Sequence, residues 1–508
     1  MTNDECRGPR AGKAKGSLSL RHSCFVILSS FDIRASSFFR HSSFGLRHSF
    51  VIRHSGFVIL LTIATLQLTT AHAADLWQAG AAKVRITPEK PIWMSGYGGR
   101  DHPAEGTLTD LWAKALVLQD PRGERIVIVS LDLVGIDRAL SMAVCDELKK
   151  RHKLERRQIA FFCSHTHTGP VVDGNLVGMW TFDETNLKLV REYTVGLKQK
   201  MIDVVGDAIA KLAPARIEWD VGLATFAVNR RTNDQPNVPK LRAAGVLKGP
   251  FDHDVPVLSV RDPESGAIRA VAFGYACHAT VLPFYQWSGD YPGFAMIELE
   301  KNHPDAVALF WAGCGADQNP LPRTSVELAQ HYGRTLASAV DAILARPMKP
   351  LDGHLASFLS DVPLELDTLP TRDQIEANAK SANKFEVARA KNLLAQLDAG
   401  KPLEPVYPYP IQLWRLGPDL KWITLGGEVV VDYSLRLKRE LGPDTTWIAG
   451  YTNDVMAYIP SLRVLKEGGY EGGGAMVYYG LPTIWSPAVE DTIVKGVHDL
   501  IFQSQPKP

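Results

Sequence analysis

The densest group of chemistry-bearing side chains is Cys163-Ser164-His165-Thr166-His167-Thr168-Gly169-Pro170, directly after the apolar run Ile159-Ala160-Phe161-Phe162. Two histidines at i and i+2 share one face of an extended chain, so both imidazoles can reach one site. His-x-His is also a frequent metal-binding spacing. Three further apolar runs end in polar groups: Ala276-Cys277-His278-Ala279-Thr280, Gly426-Gly427-Glu428 and Gly450-Tyr451-Thr452-Asn453-Asp454. Taken singly, each has an ordinary reading, as a solvated loop histidine, a core histidine or a turn carboxylate. Together, four strand ends delivering His, His, Glu and a polar aromatic loop read as a divided zinc site.

To present these groups, the chain must run a buried strand into each of them. Apolar, β-branched runs predict strands at 125–131, 158–162, 269–276, 306–311, 420–425 and 446–450. Helical periodicity occupies 139–151, 185–211, 324–346 and 372–399 between them. Strands alternating with helices predict an α/β fold of mixed β-sheets flanked by helices. In open α/β sheets, ligands bind beyond the carboxyl ends of the strands, where all four polar segments fall. The Pro-rich stretch 402–410 reads as a surface loop crossing a single catalytic unit, residues 74–508.

The whole chain of 508 residues has 56 Lys and Arg against 55 Asp and Glu. Nine of the basic and three of the acidic residues lie in 1–73, leaving a mildly acidic body with 47 against 52. That balance excludes a nucleic-acid partner held by phosphate neutralisation. Within 1–73, the run Gly56–Leu66 follows Arg53 and precedes Ala71-His72-Ala73, the pattern of a secretory signal cut near Ala73. The run is shorter than the ~20 residues a stable membrane span requires. Upstream, Arg-His-Ser recurs at 21–23, 40–42, 47–49 and 53–55 without amphipathic logic, which predicts a misassigned translation start. The expected location is therefore secreted or periplasmic. Cys145, Cys163, Cys277 and Cys314 remain in the body, too sparse for a disulfide scaffold but enough for one or two bridges.

Several segments, in order, carry a resemblance: Ala79–Pro88, Met94-Ser95-Gly96-Tyr97, Leu111–Ala115, Ser130-Leu131-Asp132-Leu133 and His165–Pro170. In these the chain resembles the N-terminal catalytic domain of the neutral/alkaline non-lysosomal ceramidases, from about residue 78 to 485. The resemblance implies a zinc ion held by His165, His278, Glu428 and Tyr458. It places the second histidine of the pair on His167, a further tyrosine on Tyr470 and an arginine on Arg230. The family's serine-bearing loop corresponds to 312–320, where its serine position is Gly313; Cys314 and Asp317 are the neighbouring candidates for catalytic work. The family's C-terminal β-sandwich is expected to be absent.

These roles imply hydrolysis of an amide in a small-molecule or lipid N-acyl substrate. Zinc lowers the pKa of water from 15.7 toward ~7, His167 moves protons, and Tyr470 and Arg230 donate to the oxyanion. An ester or glycoside hydrolase and a non-catalytic zinc- or glycan-binding relative remain open. Trp93, Trp112, Trp180 and Trp287 are candidates for lining a hydrophobic or sugar-binding cleft, or for the core.

Overall fold

The computed structural model describes residues 76–505; the signal segment read in 1–73 lies outside them. Eight strands build the larger sheet: β1 (Trp77–Arg85), β2 (Trp112–Gln119), β3 (Arg125–Leu131), β4 (Ile159–Cys163), β5 (Ala213–Leu223), β6 (Asp254–Arg261), β7 (Ile268–Tyr275) and β8 (Val307–Ala312). Their order is β8-β7-β6-β5-β1-β2-β3-β4, with the short strand Lys349–Pro350 added beside β5. Residues 113–118 of β2 and 126–131 of β3 are buried without interruption. Such runs belong to strands covered on both faces, which is why they read as continuous apolar segments rather than alternating ones.

Two neighbouring pairs near opposite ends of this sheet are parallel, β3 with β4 and β7 with β8. Parallel neighbours need a crossover. Helix α1 (Arg138–His152) supplies the first and α2 (Asp290–Asn302) the second. Asp137 starts α1 by accepting the Leu140 amide, and Lys153, in the left-handed region, ends it after four basic residues.

The smaller sheet has β9 (Leu355–Glu365), β10 (Val406–Leu416), β11 (Leu420–Leu425) and β12 (Thr446–Ala449) in that order. Here β11 and β12 are parallel, joined by α3 (Val431–Leu441). Among the described residues, the two sheets thus contain three strand–helix–strand crossovers. Each polar segment singled out in the sequence follows a strand of one of them: 164–170 after β4, 276–280 after β7, 426–428 after β11 and 450–454 after β12.

Indoles hold the two sheets together. Trp311 on β8 and Phe162 on β4 pack against Trp422 on β11, with ring centroids 5.3 and 5.4 Å away, and Trp447 lies 5.3 Å from Trp422. Backbone bonds complete the seam: Gly450 N–H donates to Ala312 O (3.0 Å), Cys163 N–H to Tyr451 O (3.3 Å) and Asn453 N–H to Phe161 O (2.9 Å). The carboxyl ends of β4, β8 and β12 are therefore fastened to one another.

Three sequence expectations change. The stretch 402–410 is largely strand: β10 begins at Val406 and pairs with β9 from Glu365 down, with Pro408 opposite Pro363. Two prolines facing each other have no N–H to exchange, so they occupy a non-bonded position of the ladder, where proline is tolerated. The helix read over 372–399 is two, Arg372–Asn378 and Lys384–Asp398. The break falls where Asn383 accepts the Phe385 amide and starts the second helix. The four cysteines of the body are all buried and free. No helix among the described residues is long and apolar enough to cross a membrane.

Candidate metal centre

The segment after β4 is not extended. His165 has φ 58°, and its N–H donates to Leu133 O at 3.0 Å. A non-glycine residue in the left-handed region is strained, and such strain persists where the surroundings over-determine it. The two histidines still converge, with Nε2 of His167 3.1 Å from Nε2 of His165. The turn, rather than the i, i+2 alternation of a strand, brings them together.

Backbone carbonyls fix the ring orientations. Nδ1 of His165 donates to Val134 O (2.7 Å) and Nδ1 of His278 to Gly315 O (2.8 Å). With its proton on Nδ1, each ring aims the bare Nε2 lone pair at the same point. Glu428 Oε2 lies 3.1 Å from both Nε2 atoms and has no hydrogen-bond donor. The other oxygen, Oε1, accepts from the Tyr479 hydroxyl. Burial pushes His278 down to about 4, so its ring brings no extra proton near neutral pH. Two nitrogen lone pairs and a carboxylate oxygen face one another in a site that is almost fully buried. A divalent cation would reconcile them, and two imidazoles with a carboxylate suit zinc.

Tyr458 brings a phenol oxygen to the same place. A parallel bridge sets Glu428 beside Tyr458 and Val429 beside Ile459. The approach depends on Gly427, at φ +75°, where a Cβ would sit 2.7 Å from Ala457 O. The Tyr458 hydroxyl is 3.3 Å from His278 Nε2 and accepts a hydrogen bond from Arg230 Nη2 at 3.1 Å. Burial beside the Glu428 carboxylate pushes this phenol upward.

His165, His167 and His278 offer nitrogen atoms within 4.8 Å of one another. His167 alone of the three also lines the adjoining open cleft of about 650 Å³. Its ring packs edge-on against Tyr97, centroids 4.7 Å apart, over Gly96, where a Cβ would lie 2.5 Å from the imidazole. Burial and the two neighbouring imidazoles push its pKa well down. Tyr470 stands at the rim, 44% exposed and edge-on to Tyr458 at 5.2 Å. Arg230, anchored by Glu471 at 2.7 Å, lies 5.4 Å from the Tyr470 ring.

The structure thus gathers His165, His167, His278, Glu428, Tyr458, Arg230 and Tyr470, and leaves out Cys314 and Asp317. Cys314 is completely buried, does not line the cleft, and burial raises its pKa. Asp317 binds Val431 N–H (3.0 Å) and Asn229 Nδ2 (2.8 Å), tying the start of α3 to the arm that carries Arg230. It positions; it does not face the cleft. None of Trp93, Trp112, Trp180 and Trp287 lines the cleft either. Trp93 and Trp180 pack with Phe182, Trp112 lies under Lys83, and Trp287 is core.

Sequence reasoning missed Tyr479, which orients Glu428, and Tyr97, which packs on His167. Tyr479 sits in the apolar stretch Met476-Val477-Tyr478-Tyr479, whose side chains look like core. Tyr97 follows Gly96 within one of the resembling segments, the one signal that could have found it.

Residues 77–313 match the family described as neutral/alkaline non-lysosomal ceramidase, N-terminal. Neutral ceramidase 2 of Arabidopsis thaliana is 28% identical over 326 residues, covering 59% of this chain and 41% of that protein. Neutral ceramidase of Oryza sativa subsp. japonica is 24% identical over 310 residues, 58% of this chain and 37% of that one. The chain spans about two fifths of the length of these curated relatives. The crystal structure of neutral ceramidase from Pseudomonas aeruginosa superposes with a TM-score of 0.64 at 19% identity, covering 83% of this chain and 73% of that one. That likeness extends the shared fold beyond the matched segment, which holds His165, His167, Arg230 and His278 but not Glu428, Tyr458 or Tyr470. Over residues 77–313 the chain is thus similar in sequence to the N-terminal domain of the neutral/alkaline non-lysosomal ceramidases, and its fold is shared with neutral ceramidase beyond that segment.

Proposed function

We propose that this protein is an exported, zinc-dependent hydrolase of amide bonds, ceramidase-like in its chemistry, acting on an N-acyl compound. The observation that carries the reading is the convergence of His165 Nε2, His278 Nε2 and Glu428 Oε2 beside a cleft that also presents a base and hydrogen-bond donors. His165, His278, Glu428 and Tyr458 would hold the ion. When bound, zinc supplies Lewis acidity toward a carbonyl and makes water a competent nucleophile near neutral pH.

The remaining work falls to the chain. The acyl carbonyl lies between His167 and the donors on the opposite wall. Arg230 and the Tyr470 hydroxyl donate to the oxygen as negative charge develops on it; loss of one such donor typically costs ~100-fold in kcat. Nε2 of His167 takes a proton from the attacking water and returns it to the leaving nitrogen. Asp317 and Glu471 hold the Arg230 arm, while Tyr479 and the Val134 and Gly315 carbonyls hold the ligands. Export rests on the apolar run and Ala71-His72-Ala73.

The test combines metal analysis of the purified protein with a panel of N-acyl amides, esters and glycosides. The reading predicts about one zinc per chain, lost in His278→Ala, and amide turnover lost in His167→Ala while metal is retained. Turnover of esters or glycosides only, or an active metal-free protein, overturns it.

A further inference from the structure

The cleft carries three arginines whose electrostatic situations differ. Arg230 is paired with Glu471 at 2.7 Å, and Arg231 with Glu471 and Glu467 at 2.6 and 3.0 Å. Arg323 has no carboxylate within ion-pair distance among the described residues. Its Nε donates to the Gln235 amide oxygen (3.1 Å) and its Nη1 reaches Thr280 O (3.5 Å). These contacts orient the guanidinium without neutralising it. The cleft's own carboxylates do not serve it: Glu467 and Glu471 are engaged as above, and Asp234 accepts from Asn237 and faces solvent.

A second cation lies behind this wall, against Tyr97. Arg100 is 5% exposed, bonded only to the Ser95 and Phe284 carbonyls, and lies 5.0 Å from the centre of the Tyr97 ring. Its Nε has no partner. Asp290, which feels the charge of Arg323, is fully buried and committed to the Leu282 and Tyr291 amides. One side of the cleft therefore holds a surplus of positive charge in a concave, partly desolvated setting, where such a field acts strongly on an anion. A guanidinium with a free edge matches a carboxylate bidentately.

The position of Arg323 fixes which part of a substrate it meets. Thr280 O accepts from both Arg323 and the Tyr97 hydroxyl (3.2 Å), and the Tyr97 ring packs on His167. Arg323 thus stands one tyrosine side chain from the imidazole assigned to the leaving nitrogen. We propose that Arg323 recognises a carboxylate on the amine portion of the substrate, so that the preferred amides are N-acyl amino acids rather than N-acyl amino alcohols. This specificity rests on the amide-hydrolase reading above.

The experiment compares kcat/KM for an N-acylglycine and the N-acylethanolamine of the same acyl chain, using metal-loaded protein. Wild type favours the glycine conjugate, and the preference shrinks with rising salt. Loss of a hydrogen-bonded charge contact in Arg323→Gln lowers the ratio of the two kcat/KM values by about 10- to 100-fold, mainly through KM; Arg323→Lys restores part of it. Equal turnover of both amides by wild type, a preference for the ethanolamide, or an unchanged ratio in a folded Arg323→Gln overturns the specificity and leaves the amide reading standing. The wild-type comparison needs no variant. Turnover of neither amide overturns both.

Discussion

Tyr479→Phe isolates the part of the site that no sequence motif announced. The Tyr479 hydroxyl donates to Oε1 of Glu428, a carboxylate only 3% exposed. Removing the hydroxyl leaves that oxygen without its donor and leaves the ring's shape intact. A hydrogen bond to a charged group contributes about 1.5–3 kcal/mol, or roughly 10- to 100-fold in an equilibrium constant. Partners of metal ligands act on metal affinity over the same range. Tyr479 faces a separate hollow beside Asp454 and Tyr407, not the cleft, so substrate contacts are untouched. Zinc competition against a chromogenic chelator is then expected to show a Kd raised about 10- to 100-fold, with kcat close to wild type at saturating zinc. A Kd within about threefold of wild type, below the low end of that range, refutes the claim that Tyr479 holds Glu428 in a liganding pose. So does normal affinity with lost turnover.

Three other perturbations probe the seam, the pH response and the excluded thiol. Trp422→Ala opens a cavity among Phe162, Trp311, Trp414 and Trp447 and is expected to cost about 3–5 kcal/mol in urea unfolding. Burial raises the Asp454 pKa to about 7, against the Tyr407 hydroxyl that it accepts from. A carboxyl that keeps its proton more tightly when folded favours the folded state below its unfolded pKa, and the benefit is lost as pH rises through about 7. Asp454→Asn should therefore reduce the fall in urea midpoint between pH 5 and pH 8; an unchanged difference removes Asp454 from the pH response. Cys314→Ser buries a hydroxyl in place of a thiol and should destabilise by roughly 1–3 kcal/mol without lowering kcat. A collapse of kcat in the folded variant returns Cys314 to the chemistry.

Strands were legible where burial on both faces leaves continuous apolar runs: 125–131 and 420–425 match β3 and β11 residue for residue. The four polar segments were legible because chemistry at a strand's carboxyl end interrupts such a run abruptly. Proline-rich β10 was not, since proline reads as a breaker unless the partner strand places another proline opposite it. The helix break at 379–383 depended on Asn383 acting as a cap, a choice that local periodicity does not register. Convergence of His165, His278, Glu428 and Tyr458 came from a resemblance, because no local pattern encodes which loops meet. Cys314 and Asp317 were drawn in by their loop alone; burial and the bonds of Asp317 to 229 and 431 are three-dimensional facts.

The closeness of the proposed ligands to their strands bears on how this scaffold can diversify. His165, His278 and Glu428 each stand within three residues of the last residue of their strand, Cys163, Tyr275 and Leu425. Chain added further along any of these connections leaves these three side chains where they are. The β9–β10 hairpin already shows the pattern, since it has accommodated the helices at 372–378 and 384–398, which bury a small core of their own around Ile375, Ala390 and Leu393. Outgrowths of this kind can be lengthened, trimmed or exchanged to reshape the approach to the cleft, and the reacting centre inherits none of the disturbance.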